Sequence, residues 1–243
     1  MKARDASREP GREPSEGHST HRISGRTIRG MEDRLTPVLY LEMTEATPDD
    51  YAHERVPEVS ALPGVERATW WRNVYRDRPD LPRELPEFDT LGVYECDPSF
   101  VAPPPTPDGI AGHHFVRTPR PGQGRLTGKP TVSLSLVLIS PTTPAEAQAL
   151  RDWGDFVHLN HIVEAGVPGF TMITPYENAT GGDPRYLHFY EFDDPDAEVT
   201  FKRMRPLLEA RLGAWGTPEC TAWAVHPALR IMYVNSFELA GAS

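Results

Sequence analysis

The sequence predicts an α+β fold built from two similar halves, and three observations lead to that prediction. First, a Pro-Gly turn occurs twice, at Pro63-Gly64 and at Pro168-Gly169. Second, each turn follows a stretch with helical periodicity and precedes a stretch in which apolar and polar residues alternate, as in a strand. Third, a later strand in each half ends in nearly the same sequence, LGVYECDP at 91–98 and LHFYEFDDP at 187–195. A duplicated chain explains all three.

Composition limits the classes of protein to consider. A chain of 243 residues with 38% hydrophobic content can bury one large core or two small fused ones, and the duplication favours two. The net charge of −10 argues against a nucleic-acid partner, which requires a basic face. Cys96 and Cys220 lack the spacing of a disulfide framework or a zinc site. No apolar run is long enough for a membrane span or a secretory signal, so we expect no membrane partner and a cytoplasmic location.

The chain divides into four segments. Residues 1–34 are rich in Arg, Glu, Ser, Gly and Pro and predict a disordered tail, and Met31 could be the natural start. Residues 35–118 form the predicted first half, 119–130 a linker, and 131–238 the second half. The second helix of the first half is expected to be degenerate, because Pro98 and the prolines at 103–105 cannot occupy a helix interior.

The predicted elements follow the same order in both halves. In the first half we predict strands over 36–43, 65–75, 88–96 and 112–117. Its helix has Thr47 as N-cap and Pro48 at the first helical position, and it ends at Pro63-Gly64. In the second half we predict strands over 131–139, 167–176, 186–192 and 228–237, with helices over 144–164 and 194–211. The order βαββαβ is that of the ferredoxin-like fold, and two such units can bury their open sheet faces against each other.

The Pro-Gly turns inside βαββαβ halves resemble the dimeric α/β-barrel superfamily, in particular its EthD-like members, over residues 36–238. Those members commonly carry a His about eight residues before the Pro-Gly turn. Here His161 stands seven residues before Pro168, whereas Arg55 occupies the eight-residue position of the first half, with His53 nearby. The resemblance implies two fused ferredoxin-like units forming an intrachain dimeric α/β-barrel, a pseudo-dimer that could dimerise further.

The resemblance also implies where a site would lie, because such members usually bind substrate between the sheet and the helices. On the helix predicted over 144–164, Asn160 falls among apolar side chains and His161 at their edge, while His158 falls on the opposite, solvated side. The alternative is that Asn160 is a satisfied core residue and that His161 only caps nearby carbonyls. On the first helix, His53 lies beside the apolar face.

Strand residues supply the other candidates. Tyr176 and Asn178 end one strand, and Trp71 and Asn73 end its counterpart in the same register. Either Asn could instead cap a turn, as Asn does where a strand gives way to a loop.

Three side chains of the strand over 186–192, those of Tyr186, His188 and Tyr190, share one face. Gly92 replaces His188 in the first half while Tyr94 matches Tyr190, which suggests one active and one degenerate half. Ordinary aromatic packing would give the same pattern.

These residues suggest a cofactor-independent lyase or isomerase, similar to a cyclase or dehydratase, for a small aromatic or polyketide-like substrate. His161 or His188 would abstract a proton next to a carbonyl that Tyr176 and Asn178 polarise. Substrate would contact the residues of these same elements: Asn160, Tyr190, His53, Trp71 and Asn73.

Two other functions stay open. One is a non-catalytic module for small-ligand binding or assembly, and the other is a cofactor-free monooxygenase of a phenol that uses Trp71 and Asn73. The superfamily also contains haem enzymes, for which His188 could be an axial ligand. We predict no cofactor and no metal, because a metal site needs three ligands in one place and the helical wheel separates His158 from His161. The adjacent His113 and His114 lie in a weakly defined segment.

Overall fold

A computed structural model of the protein describes residues 31–32, 35–76, 79–80, 83–100, 106–118, 123–124 and 129–243. Most of the predicted tail and linker therefore lie outside the described residues. Met31–Glu32 pair with Pro130–Thr131 in a two-stranded ribbon. The domain boundaries given above stay predictions.

Eight antiparallel strands close into a barrel. In chain order the strands are β1 Val38–Thr44, β2 Val65–Asn73, β3 Thr90–Cys96, β4 Ile110–Arg117, β5 Ser133–Pro141, β6 Phe170–Asn178, β7 Tyr186–Phe192 and β8 Leu229–Ala242. Around the barrel the order is β2-β3-β1-β4-β6-β7-β5-β8, and β8 then pairs with β2. Gln123–Gly124 adds a short piece to the β6 edge. The predicted α+β class and the eight strands are confirmed, and the architecture is consistent with a dimeric α/β-barrel.

Short helices pack on the outside of the barrel. Thr47 caps the first of them as predicted, its Oγ1 accepting from the Asp50 amide at 3.2 Å. The predicted helix over 144–164 exists but is interrupted by a π-helical segment, Gly154–His158. A helix after Thr217 was not predicted. The helices are α1 Pro48–Glu54, α2 Val56–Ser60, α3 Ala147–Trp153, α4 Leu159–Ala165, α5 Ala197–Lys202, α6 Met204–Leu212 and α7 Pro218–Ala224, with a 3-10 turn at Pro144–Glu146.

The two Pro-Gly turns have the same geometry. Gly64 and Gly169 adopt φ values of 86° and 91°, in the region that favours glycine. The carbonyl of Gly64 accepts from the Asp97 amide at 2.9 Å, and that of Gly169 from the Asp193 amide at 3.0 Å. Each turn is therefore bonded in the same way to the end of the second strand that follows it, β3 for Gly64 and β7 for Gly169.

A second matched contact lies at the start of each half. Thr36 Oγ1 donates to buried Glu95 at 2.9 Å, and Thr131 Oγ1 donates to buried Glu191 at 3.0 Å. Because the strands alternate in direction, both carboxylates lie at the same end of the barrel. A cavity opens at the other end of the barrel.

The main core fills the barrel itself. Alternate residues of all eight strands point inward, as expected from the period of two along a strand. Six of the largest contributors to this core are Leu41, Trp71, Phe115, Leu136, Phe189 and Phe237. In the described ranges, no helix has the length and apolar character that crossing a membrane requires.

Candidate functional site

A cavity of about 700 Å³ opens at the end of the barrel where β1 ends and β3 and β4 begin. We call it the barrel-end cavity. Its apolar wall comes from the strand ends and from the loop before β3, and its deeper polar groups come from that loop and from β4. The residues that matter below are Met43, Leu85, Glu87, Phe88, Ala111 and His113.

The cavity exists because a small residue on β4 stands where β8 carries a large one. Ala111 pairs with Met43 across β1 and β4, and Tyr233 pairs with Leu138 across β5 and β8. The same registers align the inward-facing Phe115 of β4 with Phe237 of β8, so Ala111 and Tyr233 hold equivalent positions. The Tyr233 ring is fully buried and stacks on Phe88 with centroids 4.8 Å apart. At the equivalent position of the first half, Ala111 carries no ring, and the space beside it is part of the cavity.

Glu87 is fixed by donors from several elements. Its Oε1 accepts from Asn73 Nδ2 at 2.9 Å and from the Tyr233 hydroxyl, while Oε2 accepts from Arg83. Burial raises the pKa of Tyr233 to about 12, so this hydroxyl stays protonated and donates at neutral pH. Asn235 Nδ2 lies 3.4 Å from the same Glu87 oxygen. The carboxylate is a fixed part of the wall, with its acceptor positions in use.

His113 is another polar group of the cavity wall. It lies on β4 opposite Leu41, with its ring 6.1 Å from that of Phe115. Burial lowers the pKa of His113 to about 4, so its imidazole is neutral near pH 7. Within the described part of the chain its ring nitrogens have no hydrogen-bond partner.

The predicted site around His188 is filled by side chains. His188 is only 4% exposed, and the space between it, Tyr176 and Asp155 leaves no room for a water molecule. The His158 ring lies 6.1 Å from the His188 ring and stacks on Trp223 at 5.5 Å. Desolvation lowers the pKa of His188 to about 3 and that of His158 to about 4.

The two halves fill this layer between helix and sheet in opposite ways. In the second half His188 rises from the sheet, and a Cβ on Gly154 of the helix would lie 3.1 Å from its Nε2. In the first half Gly92 leaves the sheet bare, and Tyr51 descends from the helix, so a Cβ on Gly92 would lie 2.0 Å from the Tyr51 hydroxyl. In the second half, a large side chain on the strand, His188, thus faces a glycine on the helix. In the first half, a large side chain on the helix, Tyr51, faces a glycine on the strand, Gly92.

The two predicted Asn residues cap turns in the same way. Asn178 Oδ1 accepts from the Thr180 amide at 3.0 Å and its Nδ2 donates to the Pro184 carbonyl at 3.0 Å. Asn73 Oδ1 accepts from the Tyr75 amide at 3.0 Å and its Nδ2 donates to the Phe88 carbonyl at 2.8 Å. Of the two interpretations offered for them, the geometry matches turn capping.

The aromatic candidates are buried and their polar atoms face protein groups. Tyr176 donates to the Thr36 carbonyl at 3.1 Å, and Tyr190 lies with its hydroxyl 3.4 Å from His158 Nε2. Trp71 is fully buried inside the barrel and donates to Thr69 Oγ1 at 2.9 Å.

The helical candidates lie toward the surface. His161 Nδ1 is 3.9 Å from Glu164, and Asn160 donates to the same carboxylate at 3.0 Å. His53 is exposed. None of the three lines the barrel-end cavity.

The predicted face of the second-half helix was wrong, and the π-helical segment is the reason. A π turn adds one residue, which rotates everything after it relative to an ideal α-helix. Leu159 and Ile162 are therefore buried where Asn160 was expected. His158, expected in solvent, faces Trp223, and its Nδ1 donates to the Trp223 carbonyl at 3.0 Å.

Sequence reasoning missed Glu87 of the cavity wall and Tyr233, which donates to it, and it considered His113 only as a metal ligand. Aligning the fourth strand of each half on Phe115 and Phe237 would have exposed the Ala111 and Tyr233 difference. In the described residues no group of three or more His, Cys, Asp or Glu side chains could hold a metal ion.

No family model matches the sequence, and no curated protein matches it. Among solved structures, the chain is similar to an anthrone oxidase-like protein, with 13% identity, 89% of this chain and 96% of that chain covered, and a TM-score of 0.49. It is similar to a candidate monooxygenase from Fusobacterium nucleatum subsp. nucleatum, with 8% identity, coverages of 86% and 96%, and a TM-score of 0.45. It is also similar to a mutant chlorite dismutase from Candidatus Nitrospira defluvii, with 11% identity, coverages of 84% and 91%, and a TM-score of 0.47. Likenesses this distant leave the function to be argued from the site.

Proposed function

We propose that the protein binds a small, largely apolar molecule in the barrel-end cavity. The observation that carries this proposal is an open space of about 700 Å³ at the position that Tyr233 fills in the other half. Ligand sites are typically concave, mostly apolar and roughly 300–1,000 Å³ in volume, with a few polar groups that orient the ligand. A small aromatic or polyketide-like molecule, as predicted from the sequence, has the size and character that this wall suits.

Binding is better supported than a lyase or isomerase reaction. Proton abstraction requires a base within hydrogen-bond reach of the substrate. His188 adjoins no space of substrate size, and His161 lies beside Glu164 near the surface. Of the functions considered from the sequence, the small-ligand-binding module is therefore the one that we propose.

Oxygenation of a phenol without a cofactor is the second candidate, and one contact favours it. Asn73, predicted for that reaction, donates both to Glu87 and to the Phe88 carbonyl, which belong to the cavity wall. Oxygen consumption on adding a bound phenol, lost in Asn73→Ala, would support the oxygenase over the binding module. Trp71 is separated from the cavity by its place in the barrel core.

We also propose that the chain is a tandem duplication of a ferredoxin-like unit, so that its halves form a pseudo-dimer. The strand order β2-β3-β1-β4 recurs as β6-β7-β5-β8. The matched Asn caps, the matched Thr–Glu contacts and the matched Pro-Gly turns support the same conclusion. Membership of the EthD-like group remains a prediction.

Filling the cavity should abolish binding. Ala111→Tyr places in the first half the side chain that the second half carries at Tyr233. We expect its affinity for 2-methylnaphthalene, a neutral apolar probe, to fall roughly tenfold or more, because the probe and the new ring compete for one space. Isothermal titration calorimetry would measure the loss.

The matched control is Ala149→Tyr, the same substitution at an exposed position of α3. It should bind the probe like the unmodified protein. Equal binding by Ala111→Tyr and Ala149→Tyr would refute the proposed site, provided that circular dichroism shows both variants to be folded.

A further inference from the structure

We propose that His113 recognises a hydroxyl group of the ligand, so that the barrel-end cavity selects neutral, hydroxyl-bearing molecules with an apolar body. This inference rests on the proposed binding function and adds the class of ligand. Three properties of the cavity wall carry it.

The first property is the sign of the charge around the cavity. Three carboxylates, those of Glu45, Glu87 and Asp108, line it, whereas no Lys or Arg occurs among its described lining residues. Arg83 neutralises Glu87 from the side of the loop. An anionic ligand would meet like charge without a cation to pair with, which disfavours carboxylates and phosphates.

The second property is the unmet hydrogen-bonding capacity of His113. Its equivalent on β8 is Asn235, which pairs with Leu136 as His113 pairs with Leu41. Asn235 is satisfied within the protein, donating to the Tyr75 carbonyl at 3.0 Å and to the Tyr233 hydroxyl at 3.2 Å. His113 has no such partner among the described residues and faces the cavity instead. A polar group in an apolar wall gains most from a ligand that completes its hydrogen bonds.

The third property is the form of the imidazole. Burial keeps His113 neutral near pH 7, so one ring nitrogen donates and the other accepts. A hydroxyl group can also donate and accept, so it can use whichever nitrogen faces it. Which tautomer is present does not matter for a hydroxyl, whereas it would for a pure acceptor such as an ether.

Three probes of one shape separate these effects: 2-methylnaphthalene, 2-naphthol and 2-naphthoate. We expect the unmodified protein to bind 2-naphthol roughly three- to tenfold more tightly than 2-methylnaphthalene, the range of one neutral hydrogen bond. 2-Naphthoate should bind more weakly than either. In His113→Phe the ratio of the affinities for 2-naphthol and 2-methylnaphthalene should fall to about one.

Two further variants test whether the effect belongs to the hydrogen bond. His113→Gln keeps a donor and an acceptor and should retain part of the advantage. His114→Phe changes the neighbouring histidine, which is buried on the outer face of β4 against Phe100, and should keep all of it.

The outcomes distinguish this inference from the function on which it rests. Equal affinities for 2-naphthol and 2-methylnaphthalene, or an advantage that persists in His113→Phe, would overturn hydroxyl recognition and leave cavity binding intact. Tighter binding of 2-naphthoate than of 2-naphthol would overturn the argument from charge and with it the selection of neutral ligands. If none of the three probes binds, the proposed function and this inference are both refuted.

Discussion

Arg55→Met should lower the free energy of unfolding by about 3–5 kcal/mol, the cost typical of breaking a buried ion pair from one side. Glu42 is completely buried between β1 and α1, and Arg55 reaches it with Nη2 at 2.7 Å and with Nε at 3.0 Å. The hydroxyls of Tyr40 and Tyr51 donate to the same carboxylate at 3.0 and 2.9 Å. Methionine would leave a buried negative charge with only these two neutral donors.

Chemical denaturation of Arg55→Met beside Arg205→Met measures the effect. Arg205 is exposed, bonds Glu209 one turn along α6 at 2.7 Å and lies over the Trp215 ring at 4.5 Å, contacts that together are worth at most about 1.5 kcal/mol. Similar losses in the two variants would show that the Glu42–Arg55 pair contributes no more than a surface pair. The pair is also the first-half counterpart of the region where the resemblance placed a His, and here it serves to hold α1 on the sheet.

The strands could be predicted from the sequence because their pattern is local. The strand predicted over 186–192 is β7 within the same bounds, and the Pro-Gly turns fix where β2 and β6 begin. Alternation with a period of two survives in each strand, since one face fills the barrel and the other meets helices. The sequence repeat predicts the pairing order as well, because it predicts the same strand order for residues 35–118 and 131–238.

The helical face could not be predicted in the same way. An ideal α-helix places Asn160 with the apolar residues, but the π-helical turn at Gly154–His158 shifts the register by one residue. Nothing in the local pattern marks that turn. It is linked to packing from another element, because Gly154 lies against the His188 ring of β7.

The cavity depends on a small side chain, that of Ala111, and a small residue in a strand gives no signal of its own in the sequence. Ala111 is unremarkable on its own strand and becomes informative only beside Tyr233, more than a hundred residues away. Glu87 lies in a stretch that reads as a charged loop, and only the donors from β2 and β8 show that it is fixed. Among the site residues predicted from the sequence, Asn73 is the one that we find bonded to residues of the cavity wall, Glu87 and Phe88.

Lowering the pH from 6.5 to 5 should already destabilise the protein, at pH values above those at which unperturbed carboxylates titrate. His158 and His188 are desolvated in one layer with Tyr190 and Trp223. Arg151 and Asp155 line the same space as His188, and His161 is a charged neighbour of His158 when protonated. The pKa values of His158 and His188 are lowered to about 4 and about 3, against 6.5 for an unperturbed imidazole. Above pH 6.5 both the folded and the unfolded states are neutral at these sites, and stability is complete.

Below pH 6.5 the unfolded chain binds protons at these histidines while the folded protein does not, so stability falls as the pH falls. The slope rises from half its limit at pH 6.5 toward about 1.4 kcal/mol per pH unit for each histidine, which amounts to about 3 kcal/mol for the two between pH 6.5 and 5, and it flattens near the folded pKa values. Urea midpoints measured across this range test the effect. His113, whose pKa is also lowered to about 4, contributes to the slope with the same sign. His188→Phe removes one of these three contributions and should reduce the slope by about a third, whereas His53→Gln, at an exposed position, should leave it unchanged. An unchanged slope in His188→Phe would show that His188 binds its proton equally well in the folded and unfolded states, which contradicts a closed layer around it.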